Sequence, residues 1–577
     1  MIAGRGPRAV RHVRVRHVAP PRAIRYCLVL LVLVATGCAG IPTSGPVRQG
    51  AQVGPGGDDQ VIRVIARPPR PGLTPVQVVQ GFLEASASFE DDHAVARQYL
   101  TSGARMSWDP AARVQVSAEP SVALTETAPG VVSGAATLDS TLAADGSRTV
   151  ADAGTRLTPV YNLVRENGEW RIAVLDPGLV LSRSDLDRGY RQYAVYFFDP
   201  LFQVLVPDLR LVPATTTGMA TYLTRLLVAG PSSWLAPAVR TAVPAGADLA
   251  LQAVPVDFGN ARVDLVGAPT VLDDPTADAL RAQLSATLRQ LPEVQAVTLL
   301  LTGQLIPASG PAAADPWSTV VSATGYGLDG RGGIVALDEF PASGPSASAG
   351  GYGAPPLRSV AVARDQRTAV GVDADGTGLW SGDLATGAAW TQRFAGADLS
   401  RPSFDRWRGA WFVDRGGVVR YLRPDGSVTR VSVSGLGPAS TVLAVAVPSD
   451  ATRIALTVRT GARTELMVAR VEDRAENPRI AAPRRIESRL DGVSDVAWSA
   501  AAGLTVLATE GAGTRQAFTV DTGLGIVTGL GSPADPVQLA AYPGQRVLVA
   551  AGDGIVYQPT VGVWAPYARA SAPTYAG

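Results

Sequence analysis

The sequence predicts a multidomain chain of α+β and all-β character: an N-terminal α+β domain, a middle α/β domain and a C-terminal β-propeller of five or six blades. Three observations carry this. Helical spacing gives way to alternating strands over residues 73–183, strands and helices interleave over 190–307, and a paired-strand unit recurs from 318 to 577. Some five hundred residues beyond the N-terminal region leave room for roughly three domains.

Residues 1–37 read as a signal peptide. Seven arginines, with no acidic residue among them, precede the apolar run Leu28–Val34, and Ala35-Thr36-Gly37 then leads to Cys38. A basic region, a short apolar region and small residues at a cleavage point form a secretory signal. The apolar run is far below the roughly 20 residues of a membrane-spanning helix. A cysteine directly after Gly37 makes this a lipoprotein signal, with Cys38 as the mature N-terminus carrying S-diacylglycerol on its thiol and N-palmitoyl on its amine. Ala35 stands where a lipobox usually has leucine, so simple secretion with cleavage nearby is the alternative. The basic region is also long enough to admit a start codon downstream of Met1. Residues 38–72, with Pro55-Gly56-Gly57 and Pro68-Pro69-Arg70-Pro71-Gly72, are too poor in apolar surface to order themselves and read as a flexible linker.

In the domain at 73–183, Thr74-Pro75 is a helix N-cap followed by proline at the first helical position. Val76, Val79, Phe82, Leu83 and Ala87 follow at helical spacing, and a second helix is expected to carry Val95, Tyr99 and Leu100. Strand segments include Val114–Val116 and Tyr161–Val164, and Asn167-Gly168 predicts a hairpin returning through Trp170–Val174. In the domain at 190–307, strands are expected at Tyr193–Phe198, Gln203–Val206, Val254–Phe258, Ala261–Leu265 and Val294–Leu301. Helices are expected at Met219–Leu227, stopped by Gly230-Pro231, and near 275–291. Pro307 to Trp317 reads as the next boundary.

The repeat pairs Ser359–Arg364 with Ala369–Val372, Pro402–Asp405 with Ala410–Val413, and Ala444–Pro448 with Ile454–Val458. It continues with Asp495–Ser499 before Val506–Thr509 and Gln538–Tyr542 before Val547–Ala550. Aligning Val362, Phe404, Val447, Trp498 and Ala541 gives steps of 42, 43, 51 and 43, against roughly 40–45 residues for a four-stranded blade. The longer step predicts an insertion, assigned to the arginine-rich loop at Pro478–Arg489. Asp375-Gly376, Asp425-Gly426 and Gly552-Asp553-Gly554 suit tight turns between blade strands.

Chemistry is sparse. The two cysteines are Cys27 and Cys38, so the mature chain carries no disulfide. The formal charge of +1 becomes about −6 once the seven arginines of 1–37 are removed, which argues against nucleic acid as a partner. The chain has no lysine, a compositional bias without a functional reading. The one histidine beyond the signal region, His93, follows Glu90-Asp91-Asp92. Adjacent residues fan over different helix faces, whereas a metal needs converging ligands. A solvated helix junction or cap is the better reading, and no metal or cofactor is expected. Asp373–Gly378 begins like a calcium loop but lacks the later glutamate and reads as a turn. Asp273-Asp274 suit a helix N-terminus, the glycines near 345–354 lack the features of a phosphate cradle, and no nucleophile elbow is present. The chain is not expected to be an enzyme. Trp380, Trp390, Trp407, Trp411 and Trp498 read mainly as blade packing. Any that face the propeller top would anchor a protein or a cell-wall glycan.

Gly81-Phe82-Leu83-Glu84-Ala85, Ala96–Thr101 and Trp108-Asp109-Pro110 are similar to the opening domain of the actinobacterial LpqB lipoprotein family. Leu205-Val206-Pro207, Leu226-Leu227 before Gly230-Pro231, Val263-Asp264-Leu265 and Val297-Thr298-Leu299 resemble the sporulation and germination (GerMN) module. The propeller resembles that family's by repeat pattern, and domain order is the most specific match. The resemblance implies a lipid-anchored, extracytoplasmic accessory factor of an MtrB-like sensor histidine kinase in a two-component system governing cell envelope and division. Its implied partners are that kinase's extracytoplasmic domain and the membrane; cell-wall glycan is the alternative partner.

Overall fold

The computed structural model describes residues 66–267, 272–308, 324–337, 353–385, 389–473, 477–487 and 489–577. The signal region, Cys38 and the linker through residue 65 lie outside the described residues. So do most of the boundary at Pro307–Trp317 and of the glycine-rich stretch near 345–354.

Helix α1 (Pro75–Ser86) starts on a reciprocal cap, in which Thr74 accepts from the Gln77 amide and Gln77 accepts from the Thr74 amide. It buries Val78, Val79, Phe82 and Ala85. Two short helices follow, α2 (Ala94–Arg97) and α3 (Ser102–Ser107). The second helix is thus shorter than the spacing of Val95, Tyr99 and Leu100 predicts. Leu100 instead forms a parallel bridge with Ile172, which tucks the chain against the sheet.

That sheet comprises β1 (Arg113–Ser117), β2 (Ala123–Ala128), β3 (Val131–Ala143), β4 (Arg148–Val150), β5 (Arg156–Leu157), β6 (Val160–Glu166), β7 (Glu169–Val174) and β8 (Leu179–Ser182). Its spine runs β7-β6-β3-β1-β8, with β2, β4 and β5 all pairing along the long β3. The β6–β7 hairpin turns at Asn167-Gly168, with Glu166 opposite Glu169. Helix α4 (Arg183–Gly189) then leads directly into the middle domain.

There β9 (Tyr190–Phe198) and β10 (Leu205–Pro213) form a long antiparallel ribbon. Helix α5 (Met219–Ala229) ends at Gly230, whose φ is +98°. Strands β11 (Asp248–Leu249) and β12 (Val256–Asp257) flank β13 (Asn260–Val266). Helix α6 (Asp274–Leu288) is capped by Asp273, which accepts from the Thr276 amide, and it ends before the predicted Pro292. Strand β14 (Ala296–Leu301) runs parallel to β13, and β15 (Gln304–Leu305) closes the edge. Leu223 and Leu227 of α5 meet Leu280, Leu284 and Leu288 of α6 in one core with both sheets.

The C-terminal region is a six-bladed propeller. Blades 1 to 5 span Leu357–Ala395, Ser403–Arg430, Ser432–Arg485, Leu490–Gly531 and Pro536–Arg569. Blade 6 joins Gly325–Leu328 and Ile334–Ala336 to the C-terminal strand Ser571–Tyr575. Neighbouring blades touch around a closed ring, and each interface between them has its own apolar core. Closure by a strand from the opposite chain end removes the free sheet edges an open array would leave.

The 51-residue step has a different cause from the predicted loop insertion. Blade 3 has five strands, and Arg479–Arg485 is one of them, paired antiparallel with Arg463–Glu472 and parallel with Ser432-Val433. Its central hairpin strands are also long, Arg453–Thr460 and Arg463–Glu472. The arginine-rich segment is therefore an outer strand of a blade, with only Ser432-Val433 beyond it, and it is where the other domains attach.

Candidate interaction site

Strand β10 carries Asp208 and Arg210 in an otherwise apolar run, two residues apart and therefore on one face. Arg210 is 1% exposed. Its Nη2 lies 2.7 Å from Asp208 Oδ2, and its Nη1 lies 2.7 Å from Asp145 Oδ2 of the N-terminal domain. Asp208 also accepts from the Ser232 amide and hydroxyl. Burial raises the Asp145 carboxyl, but hydrogen bonds from Ser147 and the Arg210 charge outweigh it and hold the group below the usual range. The backbone continues the seam: the Leu211 amide donates to Gly146 O at 2.9 Å.

A loop of blade 4 enters the same junction. Leu524 leaves the propeller and is buried in the core of the N-terminal domain, beside Leu211 and the N-domain's own apolar residues. Arg148 and Arg183 both donate to its carbonyl, at 2.9 and 2.7 Å. Both also pair with Asp139. Burial works to raise Asp139, and the two guanidinium charges with the Ser140 hydroxyl lower it overall. Gln192 of β9 bridges to the loop, donating to Asp521 and accepting from the Leu524 amide.

Blade 3 supplies the third set. Trp234 Nε1 donates to Ala482 O at 2.8 Å, the Arg484 guanidinium lies 5.0 Å over the Trp234 ring, and Arg470 donates to the Trp234 carbonyl. Burial draws Arg484 down to about 10. Arg485 is held bidentate by Glu465 and reaches the Ala151 carbonyl. Arginine suits such seams because its planar fork stacks and donates at once.

Cys38 lies outside the described residues. His93 stands at the expected helix junction, as the cap residue before Ala94–Arg97, but it is buried rather than solvated: it lies at φ +56°, with Phe89 and Trp108 packed edge-on against it. Burial lowers its pKa, against the charge of Asp92. Among the described residues no three His, Cys, Asp or Glu side chains converge as metal ligands. Asp373–Gly378 is a turn between two strands of blade 1, with Asp373 accepting from the Thr377 amide. Trp390, Trp411 and Trp498 are buried in blade cores, Trp380 packs against the core between blades 6 and 1, and Trp407 donates to Gln203 of the middle domain. No helix among the described residues is long and apolar enough to cross a membrane.

The seam residues escape a reading by hydrophobic period because they are polar. Their signal is a pair of opposite charges inside an apolar strand and a lone Leu524 between Gly523 and Gly525.

A six-bladed propeller packed through buried arginines against an α+β and an α/β domain defines a three-domain propeller protein. The sequence model described as "Lipoprotein LpqB, N-terminal domain" matches residues 68–187, "Sporulation and spore germination" matches 194–306, and "Lipoprotein LpqB beta-propeller domain" matches 340–576. Lipoprotein LpqB of Streptomyces coelicolor is 30% identical, covering 97% of this chain and 98% of its own length. Lipoprotein LpqB of Thermobifida fusca is 32% identical, covering 67% of this chain and 64% of its own. A crystal structure of TolB from Acinetobacter baumannii is 15% identical with a TM-score of 0.35, covering 44% of this chain and 66% of that one. The chain belongs to the LpqB lipoprotein family.

Proposed function

We propose that this chain is a non-enzymatic accessory lipoprotein, held at the extracytoplasmic face of the cell membrane, that modulates an MtrB-like sensor histidine kinase controlling cell envelope and division. The observation that carries the reading is the buried seam. It joins the propeller to both smaller domains through Arg210, Arg148, Leu524 and Trp234, so a partner bound at one domain feels the orientation of all three. Membership of the LpqB family and the lipobox at Cys38 support the location. In this reading S-diacylglycerol and N-palmitoyl on Cys38 form the anchor, since one chain binds a bilayer only marginally and two suffice. The linker ahead of residue 66 then spaces the body from the bilayer; residues 66–72, expected to be flexible, instead lie against the N-terminal domain, where the Arg67 carbonyl accepts from Tyr99 and the Gly72 amide donates to Glu169.

A glycan-binding role draws no support from Trp390, Trp411 and Trp498, which are enclosed within blades; it would rest on the half-exposed Trp380 and Trp407. The test is co-purification of the full chain with the kinase's extracytoplasmic domain, followed by crosslinking in membranes. A complex with crosslinks to the propeller or middle domain supports the reading. Absence of a complex from low to high salt overturns it.

A further inference from the structure

The loops that leave the inner strands of neighbouring blades emerge at one end of the propeller channel, because inner strands run parallel around the ring. The parallel bridge between Val362 and Ala576 shows this for blades 1 and 6. At this mouth blade 1 presents Arg364, blade 2 presents Arg406 and blade 5 presents Tyr542. The tip of the β9–β10 ribbon stands beside them, tied down by the bond from Trp407 Nε1 to Gln203 Oε1 at 2.7 Å.

Two of these side chains have buried donors without acceptors. Arg406 Nη1 is buried with no hydrogen-bond partner, and so is the hydroxyl of Tyr542, a residue 8% exposed that lines the channel. Among the described residues neither Arg364 nor Arg406 has an ion-pair partner. Orphaned buried donors are uncommon in folded proteins, and each calls for a partner, whether water or a ligand.

The neighbouring carboxylates are engaged elsewhere. Asp199 accepts from the amides of Leu201, Gln203 and Val204. Asp450 is taken by Thr452 and Arg453. Asp365 accepts from Arg367 and Thr368 and pairs with Arg408. Burial lowers the Arg406 pKa and the Arg364 charge lowers it further, against the charges of Asp199 and Asp450. Two like charges and a phenol, with the nearby Asp199 and Asp450 already committed to other donors, are what an anion with several acceptor oxygens would stabilise.

We infer that Arg364, Arg406 and Tyr542 form an oxyanion site at the channel mouth, taking a carboxylate or a phosphate group. The assignment does not depend on the kinase reading. The test titrates the full chain, in non-ionic detergent at low ionic strength, with inorganic phosphate and separately with acetate, by calorimetry and by the shift in melting temperature. Saturable binding of either supports the site. Phosphate alone points to phosphate esters, acetate alone to carboxylates, and both to their shared chemistry.

Arg406→Gln is expected to weaken binding at least tenfold and Tyr542→Phe severalfold. Arg364→Gln, in an exposed loop, gives a variant whose melting without ligand should stay near the parent's if Arg406→Gln fails to fold. Absence of saturable binding, or binding unchanged in Arg364→Gln and Tyr542→Phe, overturns the inference.

Discussion

Arg210→Met tests the seam at its most enclosed point. The substitution keeps an extended side chain and removes the guanidinium that holds Asp145 and Asp208 at 2.7 Å each and donates to the Asp145 carbonyl at 3.0 Å. Removing one partner of a buried ion pair costs about 3–5 kcal/mol, because the other charge stays buried and uncompensated. Here Asp208 keeps two donors from Ser232, while the side chain of Asp145 is 39% exposed and can rehydrate. The loss should therefore fall near 3 kcal/mol, about two powers of ten in the unfolding equilibrium. Urea unfolding followed by tryptophan fluorescence measures it, and limited proteolysis reports whether the domain junction opens. Adding Asp208→Asn to Arg210→Met should recover part of the loss, since the stranded carboxylate is then neutral. A loss under about 1 kcal/mol with an unchanged transition, or no recovery in the double variant, would refute the seam as the element that locks the domains.

The same seam should respond to acid. Asp139 and Asp145 are both depressed in the folded chain, so their contribution is fully present above the unfolded aspartate value near 3.9 and is lost as pH falls through the lower folded values. Melting temperature should hold from pH 7 to about 5 and drop below about 4, and the drop should be smaller in Arg210→Met; equal drops would contradict the assignment. Leu524→Ala removes a propeller side chain from the N-domain core and should cost about 2–3 kcal/mol, read as earlier unfolding of the N-terminal domain by hydrogen exchange. Gly146→Ala should cost about 2–3 kcal/mol, because Gly146 sits at φ +78° and a Cβ there would lie 2.5 Å from the Leu211 carbonyl oxygen; differential scanning calorimetry checks it. Cys38→Ala should release the protein from membranes on fractionation while leaving its melting temperature unchanged, and retention in the membrane would sink the anchor.

How much of this was legible depends on whether the determining contacts are local. Helix α1 was readable because Thr74, Pro75 and the apolar spacing act within one segment. Five blades were readable because the first two strands of each are neighbours in sequence and both are apolar. Blade 6 was not, since Ser571–Tyr575 pairs with Gly325–Leu328 from the far end of the domain and no local repeat can show that pairing. The second helix was overestimated because Tyr99 and Leu100 are apolar for a tertiary reason, the bridge to Ile172. His93 looked solvated among three acidic neighbours, yet its left-handed backbone turns the ring inward onto Phe89 and Trp108.

The arginines of Pro478–Arg489 show most clearly why charge misleads a reading by composition. A basic run in a long repeat looks like a solvated insertion, because isolated charges are rarely buried. In this chain Arg484 lies over Trp234 and Arg485 is held by Glu465 while reaching Ala151. Arg484 thus stacks on a ring, and Arg485 donates to a carbonyl, that are present only when the other domains are in place. The 51-residue step and the charge run are one feature: blade 3 is longer because it is the blade that receives the rest of the protein. A propeller severed from residues 66–308 would expose this edge strand with Arg484 and the Leu524 loop unpartnered. The isolated propeller should consequently be less soluble and less stable than the whole body, although its own ring of six blades is closed.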